Sequence, residues 1–240
     1  MLVMPSKTVL ITGASGGIGR SISFYFADAG WNVICHYNSS QKNIDVMRSY
    51  FRTKGITYHF LKCDFSNEKE FEDFIEKIGT LKIDSVINNA SMSMNCDGLE
   101  DIIKVFKINV FSAMIIVDKI FNKMKDNNFG RIVNISSIGA KYGSSIPSLS
   151  YGCSKLAIEG ITKTFARAGA SHNIFANTIR PGVIDTDFHN STLKDMKQRV
   201  SLIPLQRMGH PTDIASVAYM LGSEDNNFIT NETITVAGGE

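Results

Sequence analysis

Seven short apolar runs, spaced by longer amphipathic stretches, constrain the fold of this chain more than any other feature. They cover 8–12, 32–36, 58–62, 85–88, 131–136, 174–179 and 233–236. Together they are rich in Val, Ile and Phe, and several lack polar alternation. That pattern suits strands buried on both faces of a parallel sheet. Helical periodicity falls between them, over 17–29, 44–54, 68–78, 102–125, 151–170 and 212–221. Pro211 suits the first turn of the last of these. Strand and helix in strict alternation predict an α/β, doubly wound sheet with helices on both faces. Ligands of such sheets bind beyond the carboxyl ends of the strands. Residues that follow strands are therefore the first candidates for function.

Composition narrows the partners. The chain has 240 residues, 43% of them hydrophobic, which suits one α/β domain. Lys and Arg number 25 against 23 Asp and Glu, so no long-range field draws nucleic acid or an anionic membrane. The opening residues carry no charged segment before their apolar stretch, so no secretory leader is expected. No apolar run is long enough to cross a bilayer. Cys35, Cys63, Cys96 and Cys153 lie far apart, with no Cys-x-x-Cys pair. They are expected to be reduced thiols in a cytoplasmic protein, with no metal site.

The first strand runs into Thr12-Gly13-Ala14-Ser15-Gly16-Gly17-Ile18-Gly19. A glycine-rich turn lets backbone N–H groups approach a pyrophosphate at a helix N-terminus. Gly13, Ser15, Gly16, Gly17, Ile18 and Gly19 are the candidate contacts, although a plain helix entry would also use such a turn. After the second strand comes His36-Tyr37-Asn38-Ser39, without the acidic residue that usually accepts from the ribose 2′-OH of NAD. Tyr37, Asn38 and Ser39 are neutral donors suited to a 2′-phosphate, and Arg20 or Lys42 adds charge. NADP(H) is thus favoured, with NAD(H) left open. Asp64, next to Phe65, follows the third strand and can accept from an adenine amino group. Asn89, Ala90 and Ser91 follow the fourth and can pack on the ribose. Taken singly, each of these residues fits a loop or cap equally well.

The fifth strand ends in Ser136-Ser137, and a Gly- and Ser-rich stretch at 139–150 reads as a loop. Tyr151 and Lys155 then share one face of the next helix. A phenol is a weak acid–base catalyst near neutrality, with an ordinary pKa of about 10. A neighbouring ammonium favours the phenolate. A serine hydroxyl can hydrogen-bond a substrate oxygen and stabilise developing charge. Alone, the Tyr and Lys would be a surface pair; their place after the Ser-Ser strand end gives them chemical meaning.

The segments TGASGGIG, NNAS, Asn109, NISS, Tyr151-Gly152-Cys153-Ser154-Lys155 and Pro181-Gly182, in that order, resemble the short-chain dehydrogenase/reductase family over essentially the whole chain. The resemblance implies a single Rossmann-type domain over 1–240 with a seven-stranded parallel sheet and a substrate lid near 187–205. It implies hydride transfer between a nicotinamide dinucleotide and a carbonyl or alcohol. Its catalytic set, carried over, is Asn109, Ser137, Tyr151 and Lys155, with Asn109 holding a relay water for Lys155. Tyr151 and Lys155 would also meet the nicotinamide ribose. Pro181, Gly182, Ile184 and Thr186 would meet the nicotinamide carboxamide. Ser91 replaces the family's usual glycine, and the stretch from Ser137 to Tyr151 is one residue longer than is commonest, which makes Ser136 the weaker of two candidates for the catalytic serine. The segments 204–211, 229–233 and 236–239 are similar to 3-oxoacyl-acyl-carrier-protein reductases, which implies NADPH, a 3-oxoacyl thioester and fatty acid biosynthesis. Arg131 and His172 are candidate docking residues for an acyl carrier protein. The helices at 102–125 and 151–170 resemble the family's dimer-forming pair, so a homotetramer or dimer is expected. Reduction of another ketone, sugar or polyol stays open, as does a catalytically silent dinucleotide binder.

Overall fold

The computed structural model describes residues 6–186 and 196–240. The seven expected strands are present: β1 (Thr8–Ile11), β2 (Asn32–Tyr37), β3 (Tyr58–Lys62), β4 (Ser85–Asn88), β5 (Gly130–Ile135), β6 (Ile174–Pro181) and β7 (Thr233–Val236). They form one all-parallel sheet in the order β3-β2-β1-β4-β5-β6-β7. The order reverses between β1 and β4, and the carboxyl ends of these two strands diverge into separate loops. Such a switch point opens a crevice at the sheet edge.

Helices cover both faces. On one side lie α1 (Gly17–Asp28), α2 (Gln41–Lys54) and α9 (Pro211–Gly222), packing Phe26, Phe51, Trp31 and Ile214 on the sheet. On the other lie α3 (Glu68–Thr80), α5 (Ser112–Asp126) and α7 (Leu149–Gly169), which bury Phe74, Ile78, Ile116 and Phe121. Local chemistry sets several of the ends. Asn67 caps α3 by accepting from the Glu70 amide, and Glu68 and Glu70 complement the dipole. Pro211 opens α9 with a capping box between His210 and Asp213. Gly55, at φ 67°, closes α2 in the left-handed region.

Two expectations change in detail. The helix expected at 102–125 comprises α4 (Leu99–Phe106), a π-helical turn (Lys107–Phe111) and α5. Asn109 sits in that turn, and widened turns of this kind gather at functional sites. The stretch at 139–150 is partly helical: α6 (Gly139–Tyr142) and a 3₁₀ turn (Ile146–Ser148) precede α7, which begins two residues before Tyr151. The lid expected near 187–205 falls partly outside the described residues. Beyond 195 it contains α8 (Met196–Ser201).

Arg131 is not a docking residue. It is 2% exposed, sandwiched between the Phe129 and Phe175 rings, and its guanidinium donates to the carbonyls of Ser223, Asn226, Gly130 and Asn173. Burial pushes its pKa down to about 10. From sequence it read as a solvated charge, because all but one of the carbonyls it bonds lie 42 to 95 residues away. Replacing it strands several buried carbonyls, each worth about 1–3 kcal/mol when left unpaired. Arg131→Met is therefore expected to lower unfolding free energy by about 3 kcal/mol or more, as a fall in urea midpoint with dinucleotide affinity intact.

Candidate active site

A cleft of about 1210 Å³ opens over the carboxyl edge of the sheet, centred on the divergence of β1 and β4. One end is the turn between β1 and α1. Gly13 adopts φ 63°, and a Cβ there would stand 2.9 Å from the Ala90 Cα. A Cβ on Gly19 would lie 2.3 Å from the Gly13 carbonyl oxygen. The glycines thus let the turn fold against β4 and α1 without obstruction. No side chain caps the N-terminus of α1, and its first turn carries no acid. Its amides therefore present a positive dipole end to the cleft. This cradle fits a pyrophosphate, and Gly13, Ser15, Gly16, Gly17, Ile18 and Gly19 all line it.

Side chains unseen as a group in the sequence hold the turn in place. The Thr12 hydroxyl accepts from the amides of Asn89 (3.0 Å) and Ala90 (2.9 Å). The Asn89 amide group donates back to the carbonyls of Thr12 and Gly13. His36 Nδ1 accepts from the Gly13 amide at 3.1 Å, while Nε2 lies 3.0 Å from the Cys63 carbonyl, which requires the proton on Nε2. The ring stacks on Phe65 with centroids 3.9 Å apart. Burial pushes the His36 pKa down to about 4, so the imidazole stays neutral and keeps its acceptor. No motif announced this histidine; it read only as a strand end.

Farther out, Asn38, Ser39, Asp64 and Phe65 line the cleft, and Arg20 joins them. Arg20 donates to Asn43 Oδ1, and Asn43 donates to the Ser15 carbonyl. Burial raises the Asp64 pKa, but hydrogen bonds from Ser66 and Asn38 outweigh it and leave the carboxyl below its ordinary value. Tyr37 is the exception among the expected dinucleotide contacts. It does not line the cleft; its ring packs against the α1–α2 core. Side chains alternate along a strand, so the residue after cleft-facing His36 turns to the other face.

At the inner end Ser91, Ser137, Tyr151 and Lys155 converge with Pro181, Gly182, Ile184 and Thr186. Ser137 Oγ accepts from the Gly139 amide at 3.1 Å, leaving its proton for a donor role. Ser136 Oγ turns away into buried contacts with the Lys155 carbonyl and Glu159. Burial pushes the Tyr151 pKa up, while the hydroxyls of Ser137 and Ser91 pull it the other way. Lys155, 2% exposed, donates to the Ile135 carbonyl at 2.8 Å and stands 5.6 Å from the Tyr151 ring centre. Desolvation pushes its pKa down to about 7. Asn109 is buried behind this wall and does not face the cleft. Its side chain accepts from the Met92 amide and donates to the Met92 carbonyl and to Ser154 Oγ, tying the loop after β4 to α7.

A nucleotide-sized cradle beside a Ser, Tyr and Lys cluster, on a parallel sheet, defines a dinucleotide-dependent oxidoreductase architecture. The comparisons agree. The family model for short chain dehydrogenases matches residues 7–197, and the chain belongs to the short-chain dehydrogenase/reductase family of oxidoreductases. Among curated proteins it is similar to the 3-oxoacyl-[acyl-carrier-protein] reductases FabG of Staphylococcus epidermidis, at 32% identity over 98% of both chains, and of Aquifex aeolicus, at 32% over 98% of both. Among solved structures it resembles an Agrobacterium tumefaciens 3-oxoacyl reductase with NADP bound, with a TM-score of 0.88 and 28% identity over 98% of this chain and 94% of that one. It also resembles a metagenomic blue fluorescent protein in complex with NADPH, with a TM-score of 0.89 and 27% identity over 97% of both chains. Among the described residues, no helix is long and apolar enough to cross a membrane, and no cluster of metal-ligating side chains occurs.

Two outcomes test this geometry. Gly19→Ala is expected to weaken dinucleotide binding at least tenfold by calorimetry, because its Cβ would meet the Gly13 carbonyl. Lys155 carries a folded-state pKa near 7, below the ordinary 10.5, so between these values the unfolded chain binds more protons. Its burial cost is therefore full below about pH 7 and fades as pH rises towards 10.5. Lys155→Met is expected to raise the melting temperature of cofactor-free protein by about 5 °C at pH 6, given about 2–4 °C per kcal/mol for a chain of this size. That gain should disappear towards pH 10.5.

Proposed function

We propose that this protein is an NADP(H)-dependent reductase that converts a 3-oxoacyl thioester to its 3-hydroxy counterpart. The observation that carries the chemistry is the meeting of Ser137, Tyr151 and Lys155 at the inner end of a cleft whose outer end is a pyrophosphate cradle. The substrate class rests on full-length similarity to 3-oxoacyl reductases.

Gly13, Ser15, Gly16, Gly17, Ile18 and Gly19 hold the pyrophosphate. Asp64 and Phe65 hold the adenine, and Asn89, Ala90 and Ser91 its ribose. Asn38 and Ser39, with Arg20 steadied by Asn43, receive a 2′-phosphate; no carboxylate in this stretch repels it. Pro181, Gly182, Ile184 and Thr186 hold the nicotinamide end, and Tyr151 and Lys155 its ribose. The bound dinucleotide supplies the hydride. Ser137 donates to the substrate carbonyl oxygen and stabilises charge that develops there. Tyr151 gives its phenolic proton to that oxygen. Lys155, titrating near 7, passes a replacement proton towards the phenolate. Asn109 acts through the loop after β4 and α7, where the relay water would sit.

Exposed apolar side chains on α4, the π turn, α5 and α7, including Leu99, Phe111, Met114 and Leu156, support assembly of copies through this face into a dimer or tetramer. His172 stays a candidate for contact with an acyl carrier protein. The four unpaired cysteines suit a cytoplasmic setting.

Tyr151→Phe is expected to lower turnover of acetoacetyl-coenzyme A at least 1000-fold while NADPH affinity changes less than threefold. Retained turnover would overturn the mechanism. Calorimetry is expected to show NADPH bound more tightly than NADH, and a panel of ketones and sugars should turn over more slowly than the thioester. A faster ketone or sugar would reassign the substrate while leaving the chemistry in place.

A further inference from the structure

Ser136, Glu159 and Arg180 are three buried or half-buried polar groups that the chemistry above does not use. Glu159 lies one helical turn beyond Lys155 on α7, so both side chains leave the same face. Its carboxylate is 5% exposed. Arg180, near the end of β6, engages it with two bonds, Nε to Oε1 at 2.7 Å and Nη2 to Oε2 at 2.5 Å. The Ser136 hydroxyl, at the end of β5, shares its single proton between Glu159 Oε1 at 2.8 Å and the Lys155 carbonyl at 3.0 Å. Lys155 Nζ meanwhile donates to the carbonyl of Ile135, the residue before Ser136. Lys155 is thus tied at its main chain and at its side-chain tip to two consecutive residues, the last of β5 and the one after it. The strand ends are themselves joined, with the Ser136 amide donating to the Ile179 carbonyl at 2.8 Å.

A buried ion pair is a poor source of stability, because desolvation of the charges offsets their attraction. Two apolar side chains would hold α7 on the sheet equally well. Directional bonds add a fixed register. We propose that Ser136, Glu159 and Arg180 form a positioning brace that locks the Lys155 turn of α7 onto the ends of β5 and β6, holding the ammonium in place for proton transfer with Tyr151. The inference rests on the proton-transfer roles given above to Tyr151 and Lys155. None of the three brace residues touches the reacting atoms.

Ser136→Ala cuts only the tie to the helix and leaves the Glu159–Arg180 pair whole; Glu159→Gln removes the charge at the centre. Both are compared with wild type using acetoacetyl-coenzyme A and NADPH. Each is expected to lower kcat about tenfold, with KM and NADPH affinity within twofold. In Ser136→Ala a loosened Lys155 gains water, so the limb of the kcat–pH profile that it governs should move up by about one unit; in Glu159→Gln the unpaired Arg180 cation opposes that shift, so the profile is read on Ser136→Ala. Ser136→Thr restores the hydroxyl and should return both quantities to wild type. Should Glu159→Gln fail to fold, Ser136→Ala decides. A folded Ser136→Ala enzyme with wild-type kcat and pH profile overturns the brace, and so does one whose kcat falls with no change in the profile. A Tyr151→Phe enzyme that still turns over overturns the assigned chemistry instead. If the thioester is not a substrate, the melting difference between Ser136→Ala protein and Ser136→Ala/Lys155→Met protein reads the lysine directly. The pH at which that difference begins to shrink should lie above its wild-type value, and an unchanged pH overturns the proposal.

Discussion

The Thr12 hydroxyl joins the two strands whose parting makes the cleft. Where β1 and β4 diverge, their ladder ends, and the backbone amides beyond it need other partners. Thr12 Oγ1 accepts from two successive amides of the β4 loop, and Asn89 returns two bonds to the glycine turn. His36 takes a third strand's end into the same junction by accepting from Gly13. Without these bonds, the glycines would give freedom without direction. With them, the conformational permissiveness of Gly13 becomes a fixed turn, and the α1 amides aim at one point.

The inner site works against stability. Lys155 is buried with no carboxylate bonded to its ammonium among the described residues, and Tyr151, half-buried on the cleft wall, has its ionisation opposed by desolvation and eased by the hydroxyls of Ser137 and Ser91. Each would be more comfortable in water. Strain of this sort gathers where chemistry needs a group near its switching point, because the ideal acid or base titrates near the working pH. A large apolar core on each face of the sheet offsets the cost.

Local features were legible in the sequence. Short apolar runs marked all seven strands, and the spacing of Tyr151 and Lys155 placed both on one helix. Both adjacent serines border the cleft, but the Ser136 hydroxyl is committed to Glu159 and the Lys155 carbonyl, whereas Ser137 keeps its proton for a donor role. What escaped was set by partners far along the chain. His36 becomes meaningful only beside Gly13 and Cys63. Tyr37 looked like a ligand contact because it sits among polar residues, yet strand alternation turns it into the core. Arg131 looked solvated because most of the carbonyls that satisfy its guanidinium come from segments far along the chain. The π turn around Asn109 left no mark on an apolar periodicity that reads as plain helix.

Glu159 shows why geometry matters more than the presence of a charge. A carboxylate four residues from Lys155 on one helix would ordinarily favour the ammonium, raise its pKa and keep its proton. Arg180 takes both carboxylate oxygens, and Ser136 adds its proton to one of them. The carboxylate is thereby neutralised towards the arginine, and desolvation is left to dominate at Lys155. The lysine can then release a proton near neutrality. In the proposed chemistry, the same three side chains that hold the helix in register would also keep a nearby negative charge from trapping the proton destined for Tyr151.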